Sequence, residues 1–312
     1  MGHTASVQVN STGQYNDDAL KVIAKFQMVT IEKWMGWEVK GIDDEDEMVL
    51  AMMAVKKLNP KVATYFYMNS VRDRPEMTHM ARDLQQHPEY ALKDDKGEKV
   101  MSGDYYVFDL SKQEVREWWL NICLNATKFA NGDGCFCDMS ASEDAHLKPP
   151  PSESIMKVWG EGMVNLTHEV QEALGDDKLL IGKVANQSYV KAVQIEFFTP
   201  DNKSINSLML GAQAGQIMQA HVPRNVSCTG DLTDYMAAFL IGAGDYSYFG
   251  CGDWYAEGGD TSPLIWRPEY DKLIGVPKFP ALYNDGVWTR AFALGTTASF
   301  DTKTNKGTIN WE

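Results

Sequence analysis

The sequence predicts an α/β fold, a closed (β/α)8 barrel with a small C-terminal β-hairpin appendage, and three observations carry that prediction. Short β-branched or aromatic runs alternate with longer helical patterns through most of the 312 residues, the mark of βα units on a parallel sheet. Eight such runs follow one another, which favours a closed barrel over an open sheet. No GxGxxG or GxxxxGK[ST] turn follows any of them, so the usual nucleotide-binding reasons for an open, doubly wound sheet are missing. The length fits one large domain over residues 1–312.

Residues 1–15 read as a loose N-terminal arm, because nothing periodic precedes DDALKVIAKF. The first strand is expected at 26–32 (FQMVTIE), followed by a helix whose carboxylates lead and whose lysines trail, as a helix dipole favours. Strand two is expected at 61–69 and strand three at 105–110 (YYVFDL), the latter followed by an amphipathic helix with Ser111 as N-cap and Glu114 closing a capping box. The turn NGDG leads to strand four at 133–139, and a long helix follows a run of three prolines. Strands five to eight are expected at 178–184, 192–198, 215–222 and 245–251. The link between strands five and six is too short for a full helix. Residues 253–312 read as a loop and terminal hairpin packed on the barrel, too short and polar to bury a core of their own.

Composition narrows the function. A net charge of −14 repels phosphate backbones and anionic lipid headgroups, so neither nucleic acid nor a membrane surface is an expected partner. No apolar run reaches the roughly 18 residues of a membrane span. Nine Trp and thirteen Tyr supply flat faces on which sugar rings stack, although core packing uses the same residues. Five cysteines show no metal-ligand spacing. Cys135 and Cys137 read as two buried thiols, and a disulfide between Cys228 and Cys251 is open. Six Asn-x-Ser/Thr sequons, at Asn10, Asn125, Asn165, Asn186, Asn202 and Asn225, point to a secreted glycoprotein, with chance and Ser/Thr capping as the alternative. The polar start MGHTASVQVNSTGQ shows no signal peptide and reads as a mature end.

In such a barrel the active site forms at the C-terminal ends of the strands. The polar residues there are Glu32, Tyr67, Asn69, Asp109, Asp138, Asn186, Glu196, Gln219, His221 and, after strand eight, Asp253 and Trp254. Cleaving a glycosidic bond takes one carboxylic acid to protonate the leaving oxygen and one carboxylate to attack or to activate water. Asp138 ends the apolar strand GCFCD, where packing gives a charge no reason to be; the alternatives are a supporting acid or a helix N-cap. Glu196 sits inside VQIEFF, where apolar neighbours would raise its pKa as a general acid requires; the alternative is a buried salt bridge. Glu32 and Asp109 are expected as substrate contacts, with Asn69, Asn186 and Gln219 beside them. Trp34, Tyr65, Tyr67 and Trp254 either line the cleft or pack the core. His221 has no nucleophile elbow to serve, since GxSxG is absent, and is either a substrate hydrogen-bond donor or a packed histidine.

The segments AKFQMVTIEKW, NGDGCFCDMS, VQIEFF and WRPEYDKLIGVP, with the later GVWTRAFALGTTASF, resemble glycosyl-hydrolase-like barrel families related to the endo-α-1,4-polygalactosaminidase and spherulin-4 group. The resemblance implies Asp138 and Glu196 as the catalytic pair, a retaining outcome, and a terminal segment in which Arg290 precedes a strand closing the barrel's edge. Residues and resemblance together predict an O-glycosyl hydrolase acting on a poly- or oligosaccharide, with Asp138 as nucleophile or base, Glu196 as acid, and no metal or cofactor. Two other readings compete. One is a non-catalytic carbohydrate-binding barrel. The other is a polysaccharide lyase using Tyr67 or His221 as base.

Overall fold

The structure, a computed structural model, describes residues 1–7, 13–36, 39, 41–140, 146–183, 190–223, 225–251 and 265–312. Eight parallel strands close a barrel in chain order: β1 (Gly2–Val7), β2 (Met28–Ile31), β3 (Ala63–Asn69), β4 (Gly134–Asp138), β5 (Leu179–Gly182), β6 (Ala192–Ile195), β7 (Ile217–His221) and β8 (Ser247–Gly250). Around them run α1 (Asp17–Ile23), α2 (Asp44–Leu58), α3 (Thr78–Gln86), α4 (Gln113–Phe129), α5 (Glu153–Leu174), α6 (Asn202–Gln213) and α7 (Thr233–Gly242). No helix among the described residues is long and apolar enough to cross a membrane.

Two expected elements are corrected, and the corrections compensate in the count. The supposed N-terminal arm contains β1, which pairs with β8 (Gly2 opposite Tyr248) and β2 (Thr4 opposite Met28) and so closes the barrel. Its sequence, GHTASV, lacks the large apolar residues by which a strand is recognised, yet His3, Thr4 and Ser6 are all buried. What holds it is backbone pairing on both edges, to which side-chain pattern is blind. The run at 105–110 is no barrel strand. Tyr105–Tyr106 joins Met101–Ser102 and Leu147–Lys148 in a small antiparallel sheet, and the buried Phe108 packs edge-on to Trp118 of α4. A short apolar run satisfies a loop packed on helices as well as it does a strand.

Local chemistry explains the helix boundaries. Asn16 caps α1 by accepting the Ala19 N–H at 2.9 Å, and Asp201 caps α6 by accepting that of Ser204 at 2.7 Å. The capping box expected before α4 does not form: Lys112 is the N-cap and no side chain caps it, while Ser111 donates to Asp109 at 2.5 Å instead. At the NGDG turn Gly134 has φ of 142°, and a Cβ there would run into the Leu179 carbonyl, so only glycine can start β4.

The C-terminal appendage is a four-stranded meander rather than a hairpin: β9 (Leu282–Asn284), β10 (Val287–Ala291), β11 (Thr297–Asp301) and β12 (Lys306–Asn310). It packs on α7 through buried Ala298 and Phe300. Arg290 belongs to this sheet, not to the barrel's edge, and donates to the carbonyls of Leu240, Ile241 and Ala243 at the C-terminus of α7, where a cation suits the dipole. At the opposite end of the barrel from the site, Tyr270 stacks on His3 at 4.2 Å between ring centroids. Cys123 and Cys135 form a disulfide tying α4 to β4, so the expectation of two buried thiols holds for Cys137 alone. Cys228 and Cys251 form a second disulfide, between the ends that follow β7 and β8.

Candidate active site

Strand alternation decides which residues meet inside the barrel, since every second side chain of a strand points the same way. On β4, Cys135 points out to its partner on α4 while Phe136 and Asp138 point in. On β3 the inward set is Tyr65, Tyr67 and Asn69, with Tyr67 stacked beside Phe136 at 5.9 Å. One step beyond β5 and β6 stand Lys183 and Glu196, and one step beyond β2 stands Glu32. Tyr67, Asn69, Asp138, Lys183, Glu196 and Glu32 sit at the C-terminal, mouth end.

Asp138 is the hub. Its Oδ2 accepts from the Tyr67 hydroxyl at 2.6 Å and from Asn69 Nδ2 at 3.3 Å, and its Oδ1 accepts from the Met139 N–H at 2.9 Å. The Lys183 ammonium contacts the same Oδ1 and also reaches Glu196 Oε2, so one cation bridges the two carboxylates. Burial opposes ionisation of Asp138. The charges of Lys183 and Lys33, with the hydrogen bonds from Lys183 and Tyr67, overrule it and hold the carboxyl well below the usual carboxylate range. Burial likewise disfavours the Lys183 charge, and the two carboxylates on it raise its pKa all the same.

Glu196 meets one expectation and not another. It faces the same mouth as Asp138, but not from an apolar burial: its side chain is 24% exposed and paired with Lys183. The premise drawn from its apolar neighbours in sequence therefore fails, because the strand ends at Ile195 and the next residues turn outward. Phe197 is itself 57% exposed. A cavity of about 730 Å³ opens there, lined by Met139, Lys183, Glu196, Phe197, Thr199 and Asp201 among others. That volume suits a small-molecule or sugar site.

Glu32 is a third carboxyl of the group. It is fully buried, its Oε2 accepts from Lys33 Nζ at 2.8 Å, and Oε1 has no hydrogen-bond partner among the described residues. Burial raises its pKa against the pull of Lys33, and the nearby Asp138 and Glu196 charges add to the rise. Lys33 also lies 3.9 Å from the centre of the Tyr67 ring, a cation–π contact beneath the phenol that donates to Asp138.

The other expected contacts separate. Trp34 stands on the rim with φ of 76°, its N–H donating to Asp44 at 2.9 Å and its ring 6.0 Å from the Arg74 guanidinium. Burial pushes the Asp44 carboxyl up to about 8 although the Trp34 and Met35 N–H groups favour its charge. Tyr65 is buried two residues below Tyr67, near Asp133 and Tyr248, and belongs to the packed interior. Gln219 is buried too, accepting from Gln194, which also donates to Ser6. His221 is fully buried with Nδ1 3.1 Å from the Val222 carbonyl, and burial brings its pKa down to about 4. Asp109 holds Ser111 and Lys112 at the start of α4 and makes no contact with the pair. Asn186, Asp253 and Trp254 lie outside the described residues.

Lys183, Lys33 and Phe197 were not expected from the sequence. Lys183 stands one residue before the end of the run KLLIGKV, just past the strand that lies between those of the two carboxylates, and asking which cation neutralises them would have found it. Among the described residues the cluster with metal-ligand spacing is Asp43, Asp46 and His79, on the surface and shared with Arg82.

Comparison with known proteins agrees with the architecture. No curated protein matches the chain by sequence. Among solved structures it is similar to a noncanonic maltogenic α-amylase, AmyB, of Thermotoga neapolitana, at 13% identity and a TM-score of 0.61 over 97% of this chain and 86% of that one. It is also similar to a GH36 α-galactosidase, AgaA, of Geobacillus stearothermophilus, at 13% identity and a TM-score of 0.58 over 96% of this chain and 47% of that one. A GH31 dextranase of Flavobacterium johnsoniae follows at 15% identity and a TM-score of 0.52, over 85% of this chain and 37% of that one. The chain thus spans less than half the length of the latter two, and at such identities the likeness is one of fold. Residues 56–296, most of the barrel and the start of the appended sheet, match the profile of one family, and the chain belongs to it: hypothetical glycosyl hydrolase family 15, a glycoside hydrolase family.

Proposed function

We propose that the protein hydrolyses O-glycosidic bonds of an oligo- or polysaccharide with retention, Asp138 acting as nucleophile and Glu196 as general acid and base. The observation that carries this reading is the single ammonium touching both carboxylates. It brings the two carboxylates to within one ammonium of each other, which supports the short separation of a retaining pair over the wider one of an inverting pair. The division of roles follows from hydrogen bonding. Asp138 accepts from Tyr67, Asn69 and the Met139 N–H, all of which favour its charged form. When a sugar displaces Lys183, Asp138 keeps those donors, which gives it the attacking role and leaves the acid's role to Glu196. An Asp138 oxygen then attacks the anomeric carbon, the glycosidic bond breaks, and the leaving oxygen takes the Glu196 proton. Water next gives a proton back to Glu196, and its oxygen replaces Asp138 at the anomeric carbon. Phe197, exposed beside Glu196, offers a face for sugar stacking. The overall charge of −14 weighs against nucleic acid or an anionic membrane as partner.

The same lysine favours a second reading, a carbohydrate-binding barrel whose pair stays closed. A lyase fits less well. Burial raises the Tyr67 pKa well above its usual value, so it donates rather than abstracts, and His221 is sealed in. The test is reducing-sugar release from a broad glycan panel by wild type and Asp138→Asn. Hydrolysis by wild type, lowered on the order of 10⁴-fold or more in the variant, is expected. Glycan binding by both without release by either would establish the closed barrel instead.

A further inference from the structure

We propose that the protein carries Asn-linked oligosaccharides at Asn125, Asn165, Asn202 and Asn225, added while the chain is still unfolded on a secretory route. Of the six sequons, these four lie within the described residues, and in all four the asparagine is exposed. The neighbouring residues show how selective this is: Ala126 and Thr127 are buried next to Asn125, as are Leu166 and Thr167 next to Asn165. Both asparagines therefore project from the outer faces of α4 and α5, where a bulky chain meets only solvent. Asn202 opens α6 and uses its Oδ1 to accept from Trp288 Nε1 at 2.9 Å, which leaves Nδ2 free to carry a sugar. Two disulfides give an independent reason to place the chain in an oxidising compartment, the one where such transfer occurs.

The reaction is a group transfer from an oligosaccharide on a polyprenyl diphosphate. Nδ2 bonds to the anomeric carbon, the bond from that carbon to the phosphate oxygen breaks, the diphosphate leaves with the electron pair, and Nδ2 loses one proton. The timing comes from burial of the sequon hydroxyls. Thr127 and Thr167 are 1% and 3% exposed, so a transferase that reads the threonine cannot reach it in the folded barrel. At Asn225 the partner Ser227 is exposed as well, and that site alone of the four stays readable after folding.

The experiment uses protein isolated from the organism that makes it, treated with a peptide N-glycosidase in ¹⁸O-water and mapped by peptide mass. Expected is ¹⁸O-labelled aspartate at three or four of positions 125, 165, 202 and 225. Label at two or fewer overturns the proposal. Its timing is read with folded, sugar-free protein offered to an oligosaccharyltransferase and a lipid-linked donor: modification at Asn225 without Asn125 or Asn165 supports it, and transfer to Asn125 or Asn165 overturns it. Asn125→Gln with Asn165→Gln should remove two glycans and leave glycan hydrolysis as it was.

Discussion

Two arcs of the barrel mouth hold polar residues at equivalent strand ends and do opposite things with them. From β3 to β6 the ends carry the buried Tyr67 and Asn69 and, charged and partly open, Asp138, Lys183 and Glu196, whose side chains are 17%, 15% and 24% exposed. From β7 round to β1 they carry Gln219, His221 and Ser6, neutral and shut. In the first arc each charge is balanced by another within contact, which lets ionised groups stand at the edge of a low-dielectric interior. In the second, the described amide, hydroxyl and imidazole groups bond to each other or to backbone, shut away from a substrate. Position at a strand end is therefore necessary for chemistry in this fold and not sufficient. Opposed charge and access make the difference.

The sharpest break in that comparison comes from Glu196. Replacing it with Gln in an active enzyme should lower turnover of a poor leaving group by about 10²–10⁴-fold. Turnover of an aryl glycoside, whose leaving group needs no proton, should fall far less. Equal losses on both would remove Glu196 from the acid's role.

Lys183→Met comes next. Its ammonium helps hold Asp138 below the usual carboxylate range, so removing it raises the Asp138 pKa, and the acid limb of the kcat/KM profile should move to higher pH. Activity above that limb should stay within about 10-fold, because the remaining donors keep Asp138 in place. An unmoved limb would mean that Lys183 and Asp138 are uncoupled in solution. Tyr67→Phe removes one charge-assisted hydrogen bond worth roughly 1.5–3 kcal/mol. The expected loss in kcat/KM is about 10–100-fold, with a smaller move of the same limb in the same direction.

How far the sequence could lead follows from these residues. Asp138 is legible because a carboxylate at the end of an apolar strand has no packing reason to be there, whereas Glu196 is reached from an apolar setting that the structure does not give it. The barrel is legible because seven of its strands carry β-branched or aromatic runs. β1 is not, since GHTASV is fixed by hydrogen bonding on both edges rather than by apolar side chains. Lys183 is hidden by the search itself, which looks for acids and bases and passes over the cation between them. Which strand-end polar groups are sealed and which are open depends on what lies above them. Neighbours in space decide that, and no local pattern records it.

The mildest prediction tests the closed arc. His221→Gln should leave hydrolysis within about two-fold, because a neutral side chain shut away from the mouth touches no substrate. Its signature is in stability. Burial brings the His221 pKa down to about 4, against about 6.5 in an unfolded chain. Between those values the unfolded wild type binds a proton that the folded state refuses, so acid costs wild type stability at up to ~1.4 kcal/mol per pH unit. Glutamine binds no proton in either state. The stability advantage of wild type over His221→Gln should therefore be largest above pH 6.5 and shrink as pH falls towards 4, measured by denaturant unfolding at several pH values. A constant difference would mean that the imidazole is not sealed. A large loss of hydrolysis without loss of stability would move His221 from the closed arc to the open one, and with it the boundary between the two.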